Sequence, residues 1–256
     1  MAEFEIIYGR NPVREALKAG TVNRLVLAQG NKEHGLLAIT SIAREKGVSV
    51  TNADRRKLDS LASGGVHQGV VAYISPVQFC SLDDIIGAAR NMGQKPFVVF
   101  LDSVMDPHNY GAIIRSAYCA GAHGIVVAKR RAAPLGETAF KASAGAAAYL
   151  PIAEVPNIAQ AITALKKQGI FAVCADTEGQ AYYSIDYDMP LAIVVGNEGK
   201  GVGKLIGELC DFRANIPLHG NIGSLNASVA AGVIFFEASK QRMMALNSAQ
   251  NTASKG

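Results

Sequence analysis

Four short runs in the second half of this 256-residue chain are almost wholly apolar: 97–101 (FVVFL), 124–127 (GIVV), 170–175 (IFAVCA) and 191–195 (LAIVV). A strand with one wet face alternates apolar and polar side chains, so an unbroken run means that both faces are covered. Helices on either side of a parallel sheet provide that cover. Helical periodicity between the runs, at 109–120, 158–168 and 226–245, supplies them. The expected architecture is α/β, with the parallel sheet in the second half.

The first 75 residues read differently. Short strands are expected at 6–8, 24–27, 49–51 and 69–74, with helices near 36–46 and 54–61. A further helix is expected after Asn11, which reads as its cap with Pro12 at the first position and Val13, Ala16 and Leu17 on one face. This predicts a small α/β domain over 1–75. A linker at 76–95 follows, holding a helix at 82–92. The sheet domain then spans 96–247, and the polar 248–256 reads as a frayed tail.

Composition excludes several classes. At 49% hydrophobic and 18% charged residues the chain has too apolar a composition for disorder over most of its length. No apolar run reaches the ~20 residues of a membrane span. The start, Met-Ala-Glu-Phe-Glu, carries acids where a secretory leader carries bases, so a cytoplasmic protein is expected. Four scattered cysteines and five histidines show no ligand spacing, so neither metal nor disulfide framework is expected. The net charge is +4, and residues 1–75 hold ten Lys and Arg against seven Asp and Glu. That surplus permits nucleic-acid contact without requiring it.

Three loops are expected each at the carboxyl end of a strand, where open α/β sheets bind ligands. The first is 106–115, DPHNYGAIIR: Asn109 reads as a helix cap, and Arg115 shares a helix face with Gly111. The second is 196–203, GNEGKGVG, which lacks the pattern of a phosphate loop and carries an acid, Glu198, that would repel phosphates. The third is 216–226, IPLHGNIGSLN, in which Gly220 and Gly223 let the backbone curl and Ser224 and Asn226 are cap residues.

Together these loops resemble the three motifs of the SpoU (TrmH) branch of the SPOUT methyltransferases: D-P-x-N-x-G-A-x-x-R at 106–115, V-G-N-E-G-x-G at 195–201 and I-P-x-x-G-x-x-x-S-L-N-x-S-x-A at 216–230. Residues 1–75, with V-H-Q-G-V at 66–70, are similar to the small L30e-like substrate-binding domain of many members. The layout looks most like the 23S rRNA guanosine 2′-O-methyltransferase subgroup. The resemblance implies a C-terminal trefoil-knot domain, a homodimer, and S-adenosylmethionine as cofactor. Its substrate would be the ribose 2′-OH of RNA, in 23S rRNA or a large-subunit assembly intermediate. By position, the resemblance places Gly196, Ile216 and Leu225 at the cofactor, and Asn109, Arg115, Glu198, Ser224 and Asn226 in the catalytic polar set. Departures are small: Tyr110 stands where an aliphatic residue is commoner, and Ala227 where Val is frequent.

Outside the motifs, Arg55, Arg56 and Lys57, the pair His67 and Gln68, and Lys129 with Arg130 are candidate RNA contacts. The ordinary reading for each is a solvated charge run or a satisfied histidine. Three other functions stay open: a tRNA ribose methylase, an RNA-binding protein without catalysis, and a hydrolase using Ser224 with His219. The last lacks the nucleophile-elbow pattern.

Overall fold

A computed structural model describes residues 4–30, 34–75, 78–129, 136–220 and 223–253, with backbone alone over 249–253. The candidate Arg130 lies outside the described residues. The chain forms two compact units, each with its own sheet.

The first unit begins with β1 (Glu5–Tyr8), α1 (Arg10–Ala19), β2 (Val22–Ala28), α2 (His34–Glu45), β3 (Ser49–Ala53), α3 (Arg55–Leu61) and β4 (Val70–Ile74). Its sheet runs β1-β4-β2-β3, with β4 antiparallel to both neighbours and β2 parallel to β3. Asn11 is not the cap of α1: that position is Gly9, at φ +91°, and no side chain of its own closes the turn. Gln68 does so instead, its Oε1 accepting from the Arg10 N–H at 2.9 Å. Val13, Ala16 and Leu17 are buried as expected.

The second unit holds α4 (Leu82–Asn91), β5 (Phe97–Leu101), α5 (Pro107–Cys119) and β6 (Gly124–Ala128). The chain then returns to the first unit for α6 (Glu137–Ala142) and a 3-10 turn at Ala146–Ala148. Within the expected 96–247 span, residues 136–149 group with the N-terminal unit. The Lys141 ammonium lies 3.5 Å from the Tyr8 ring centroid, and the Tyr149 hydroxyl donates to the Glu15 carbonyl at 3.1 Å. The Tyr8 hydroxyl donates to the Glu137 carboxylate, which with burial pushes the phenol up to about 12.

Back in the second unit follow β7 (Ile152–Val155), α7 (Ile158–Lys167), β8 (Phe171–Ala181), a 3-10 turn at Tyr182–Ser184, β9 (Leu191–Val195), α8 (Lys204–Leu209), β10 (Phe212–Asn215) and α9 (Ala227–Ala253). The sheet order is β10-β8-β9-β5-β6-β7, parallel throughout. Every residue of β5 and β9 is buried, as their unbroken apolar runs require. The helix α9 continues to Ala253, where a frayed tail from 248 was expected.

The amino end of β5 is tied by two basic side chains. The Arg242 guanidinium donates to the carbonyls of Tyr187, Met189, Lys95 and Pro96. His123 accepts the Phe97 N–H through Nδ1 at 3.0 Å, so its proton sits on Nε2, 2.8 Å from the Gln94 Oε1. Burial first, then the nearby Arg242 charge, holds the His123 pKa below its ordinary value. A folded-state pKa below the unfolded one means that the unfolded chain takes up the proton first. His123 thus contributes stability above about pH 6.5 that is lost as pH falls through the lower folded value. Urea unfolding at pH 7.5 and pH 5.5 should show a decline in midpoint for the wild type that His123→Gln reduces.

Candidate active site

The cap of α5 explains how the site is assembled. Asp106, not Asn109, closes the helix: its two carboxylate oxygens accept from the His108 N–H at 3.1 Å and the Asn109 N–H at 3.3 Å. Pro107 suits the first turn because it has no N–H to satisfy. The Asn109 side chain is thereby free for long-range work. It is 9% exposed, and its Nδ2 donates to the Glu198 Oε1 at 2.9 Å while its Oδ1 accepts from the Asn226 Nδ2 at 3.0 Å. The other Glu198 oxygen accepts from the Asn197 Nδ2 at 3.2 Å. Three expected catalytic residues from three distant loops thus form one continuous relay.

Asn226 does more than was expected. Its Oδ1 accepts from the Ser228 N–H, the Ser228 hydroxyl and the Val229 N–H, so it caps the start of α9 as well as orienting Asn109.

Beside the relay, along the middle of β8 and at the carboxyl ends of β9 and β10, lies a cavity of about 680 Å³. That size lies within the ~300–1,000 Å³ of small-molecule sites. Gly196, Ile216 and Leu225, the expected cofactor residues, all line it, and so do Glu198 and Ser224. Asn109 and Asn226 stand behind the wall. Sequence reasoning missed Ala175, Asp176 and Thr177 in the middle of β8, and Asn215, the last residue of β10. A signal existed for the first three, since the expected strand 170–175 ends at Ala175 and the other two follow it directly. Asp176 is held by Arg213, 3.2 Å away.

A cradle for a bound molecule requires Gly196. A Cβ there would lie 2.1 Å from the Gly201 carbonyl carbon and 2.2 Å from the Val202 nitrogen, both backbone. The buried glycine lets the loop fold back on itself and form that wall.

The remaining candidates are placed as follows. Arg115 is exposed on α5, does not line the cavity, and makes no hydrogen bond or ion pair among the described residues. Arg55, Arg56 and Lys57 are exposed in the first turn of α3, where the helix dipole disfavours positive charge. Lys129 is exposed after β6. His67 is 4% exposed, with Nε2 on the Asp59 carboxylate at 3.0 Å and Nδ1 accepting from the Gly69 N–H. With Gln68 engaged at α1, this pair builds the N-terminal unit and leaves His67 no nitrogen for RNA. His219 and Ser224 share no hydrogen bond, and no metal-binding cluster occurs among the described residues.

Comparison with known proteins fits this geometry. The SpoU rRNA Methylase family matches residues 96–236, and the RNA 2′-O ribose methyltransferase substrate-binding family matches residues 6–80. A Bacillus subtilis protein named as a TrmH family tRNA/rRNA methyltransferase is 39% identical over 242 residues, covering 94% of this chain and 97% of the relative. Among solved structures, the SpoU methyltransferase AviRb from Streptomyces viridochromogenes in complex with AdoMet is similar with TM-score 0.77 and 26% identity, over 93% of this chain and 90% of that one. The AdoMet-bound rRNA methyltransferase from Sinorhizobium meliloti is similar with TM-score 0.76 and 26% identity, over 93% and 87%.

Fold, cavity and matches define an S-adenosylmethionine-dependent RNA methyltransferase. The chain belongs to the SpoU rRNA methylase family, with the family's substrate-binding domain at its amino end.

The two glycines of the loop should behave differently. Gly196→Ala should weaken S-adenosylmethionine binding by at least roughly 100-fold, since each tenfold corresponds to only ~1.4 kcal/mol. At Gly199 the nearest atom to an added Cβ is the Asn197 Oδ1 at 3.6 Å, an ordinary contact. Gly199→Ala should therefore bind within a few-fold of wild type in calorimetry.

Proposed function

We propose that the protein transfers the cofactor's methyl group to the 2′-OH of a guanosine ribose in 23S rRNA, acting as a homodimer with a knotted catalytic domain. The observation that carries the catalytic part is the relay of Asn226, Asn109 and Glu198 at the cavity wall. The match of residues 6–80 to a 2′-O ribose methyltransferase substrate-binding domain supports the ribose target. The likeness of both units to a solved rRNA methyltransferase supports ribosomal RNA over tRNA.

When bound, S-adenosylmethionine supplies an electrophilic methyl on a sulfonium. The chain's task is to hold a ribose hydroxyl in line with that carbon, and such alignment is worth ~7–11 kcal/mol of barrier. Gly196, Ile216 and Leu225 would hold the cofactor against the cavity wall. Glu198 places negative charge at that wall, tolerable beside a sulfonium and unfavourable beside a phosphate. Ser224, which lines the cavity, would position ribose or cofactor. Arg115, with its guanidinium unengaged, would grip a substrate phosphate. Arg55, Arg56, Lys57 and Lys129 would add contacts along the RNA backbone.

The homodimer is supported by an exposed apolar stripe. Val229, Phe236 and Met243 recur every seven residues along α9 and are 51%, 51% and 56% exposed. Such spacing keeps them on one helix face, and burial against a second copy would remove them from water. An Arg115 that does not reach its own cavity wall would serve the site of that second copy.

Methylation of RNA from a strain lacking the enzyme, followed by mapping of ribose modifications, tests the substrate. A 2′-O-methylguanosine in 23S rRNA is expected, and a product confined to tRNA would refute the ribosomal target. Arg115→Ala should lower transfer by roughly 10- to 100-fold and leave cofactor affinity within a few-fold, a lost charge-assisted contact being worth ~1.5–3 kcal/mol. Glu198→Gln should be inactive, because its NH₂ would face an amide donor. Mixing the two should return about a quarter of wild-type activity, since half of randomly reassorted dimers are mixed and each keeps one intact site. No recovery would place Arg115 at its own subunit's site.

A further inference from the structure

The loop that presents Glu198 runs from Gly196 to Gly203 and is held internally by a few short-range bonds. Asn197 and Gly201 exchange main-chain bonds at 3.0 and 2.8 Å, and the Asn197 Oδ1 accepts from the Gly199 and Lys200 amides. These bonds shape the loop without fixing where it sits. Glycine-rich backbone has many conformations to choose from, so something outside the loop must fix its place.

Two residues directly after β5 meet that need. The Asp102 Oδ2 accepts the Gly203 N–H at 2.8 Å, and the Ser103 carbonyl accepts from the Asn197 Nδ2 at 3.0 Å. The Ser103 hydroxyl donates to the Asp102 Oδ1 at 3.1 Å, which orients the carboxylate. Ser103 adopts φ +61°, a left-handed conformation that L side chains rarely take and that persists only where surroundings enforce it. The loop is therefore gripped at both ends from the adjacent central strand. Asp102 does not line the cavity and makes no bond to Glu198.

We infer that Asp102, seated by Ser103, is a positioning residue that latches the glycine loop to the end of β5, so that Glu198 meets Asn109 and the cavity wall is formed before the cofactor arrives. This deepens the methyl-transfer reading of the same site. The bond joins a carboxylate to a main-chain N–H, a charge-assisted pair.

Three variants and two readouts test the latch. Asp102→Ala removes the acceptor. It should weaken S-adenosylmethionine binding about 10-fold and lower kcat at saturating substrates by at least as much, the scale of one lost charged hydrogen bond. Asp102→Asn keeps an oxygen that can accept the Gly203 N–H, and it should recover both quantities to within a few-fold. Gly203 has φ −57°, a value proline accepts, so Gly203→Pro deletes the N–H at a compatible backbone. Added to Asp102→Ala, that change should cost nothing further, because both act through one bond. Wild-type affinity and kcat in Asp102→Ala would overturn the latch. So would an Asn variant as defective as the Ala variant, or Ala and Pro effects that multiply. If Asp102→Ala does not fold, Asp102→Asn decides: near-wild-type binding together with slow Gly203 amide exchange supports the latch, and fast exchange refutes it. A wild-type protein that binds S-adenosylmethionine and methylates no RNA would refute the activity, while cofactor affinity and amide exchange still test the latch.

Discussion

Glu198 sits at the wall of the cofactor cavity without an ion-pair partner among the described residues, and its two oxygens are held by the amides of Asn109 and Asn197. Neutral donors orient a carboxylate without cancelling its charge. Much of the catalytic unit follows from that arrangement. With Asp106 capping α5, the Asn109 Oδ1 stays free to accept while its Nδ2 donates to Glu198. That oxygen needs a donor, and Asn226 supplies one from the start of α9. The relay then requires β5 and β9 to be neighbours, so that the loops after them meet. Register places Leu101 beside Val195 at the shared carboxyl edge.

The same edge explains the division of labour among the loops. Strands β9 and β10 end in the cavity and the middle of β8 borders it, while β5 leads into the groups that hold its wall, Asp102 and Ser103 directly and Asn109 in the first turn of α5. The cavity lining and the groups bonded to it thus come from adjacent strands of one sheet. Rigid strands carry the loops, and polar bonds rather than apolar packing set their final geometry. That suits a site that must remain open to a substrate as large as RNA. Arg115 stands apart from both groups, on the exposed face of α5, with no hydrogen bond or ion pair among the described residues.

Much of the fold was legible because the strongest signals are local. The run at 97–101 and the run at 191–195 became β5 and β9 with unchanged bounds, since a strand buried on both faces has no polar residue to blur its limits. The elements that were missed lack that signal. In β10, Phe-Arg-Ala-Asn, Ala214 alone is buried, because the strand lies at an edge of the sheet. The last part of β8 runs through exposed Thr177 to Gln180, and it is strand because it pairs with β10 rather than because it is apolar. Neither partnership can be inferred from residues that far apart. The caps failed for a related reason. Asn11 and Asn109 are both good cap residues, yet the first turn of each helix is closed by another group, Gln68 in one case and Asp106 in the other. The return of 136–149 to the N-terminal unit had no signal at all, since a helix of six residues does not announce which surface it covers.

Sequence alone determined the class of sheet, the three loops at its edge, and the residue types that meet there, because apolar runs, glycine spacing and family motifs are properties of neighbouring residues. Tertiary structure decided what each polar group does. His67, a candidate RNA contact, proved to be a buried brace on Asp59. Asn226 is cap and relay at once, and Asp102 joins a loop 101 residues away. A hydrogen bond depends on a distance of about 3 Å and a direction, and the chain meets both only after packing has brought remote segments together.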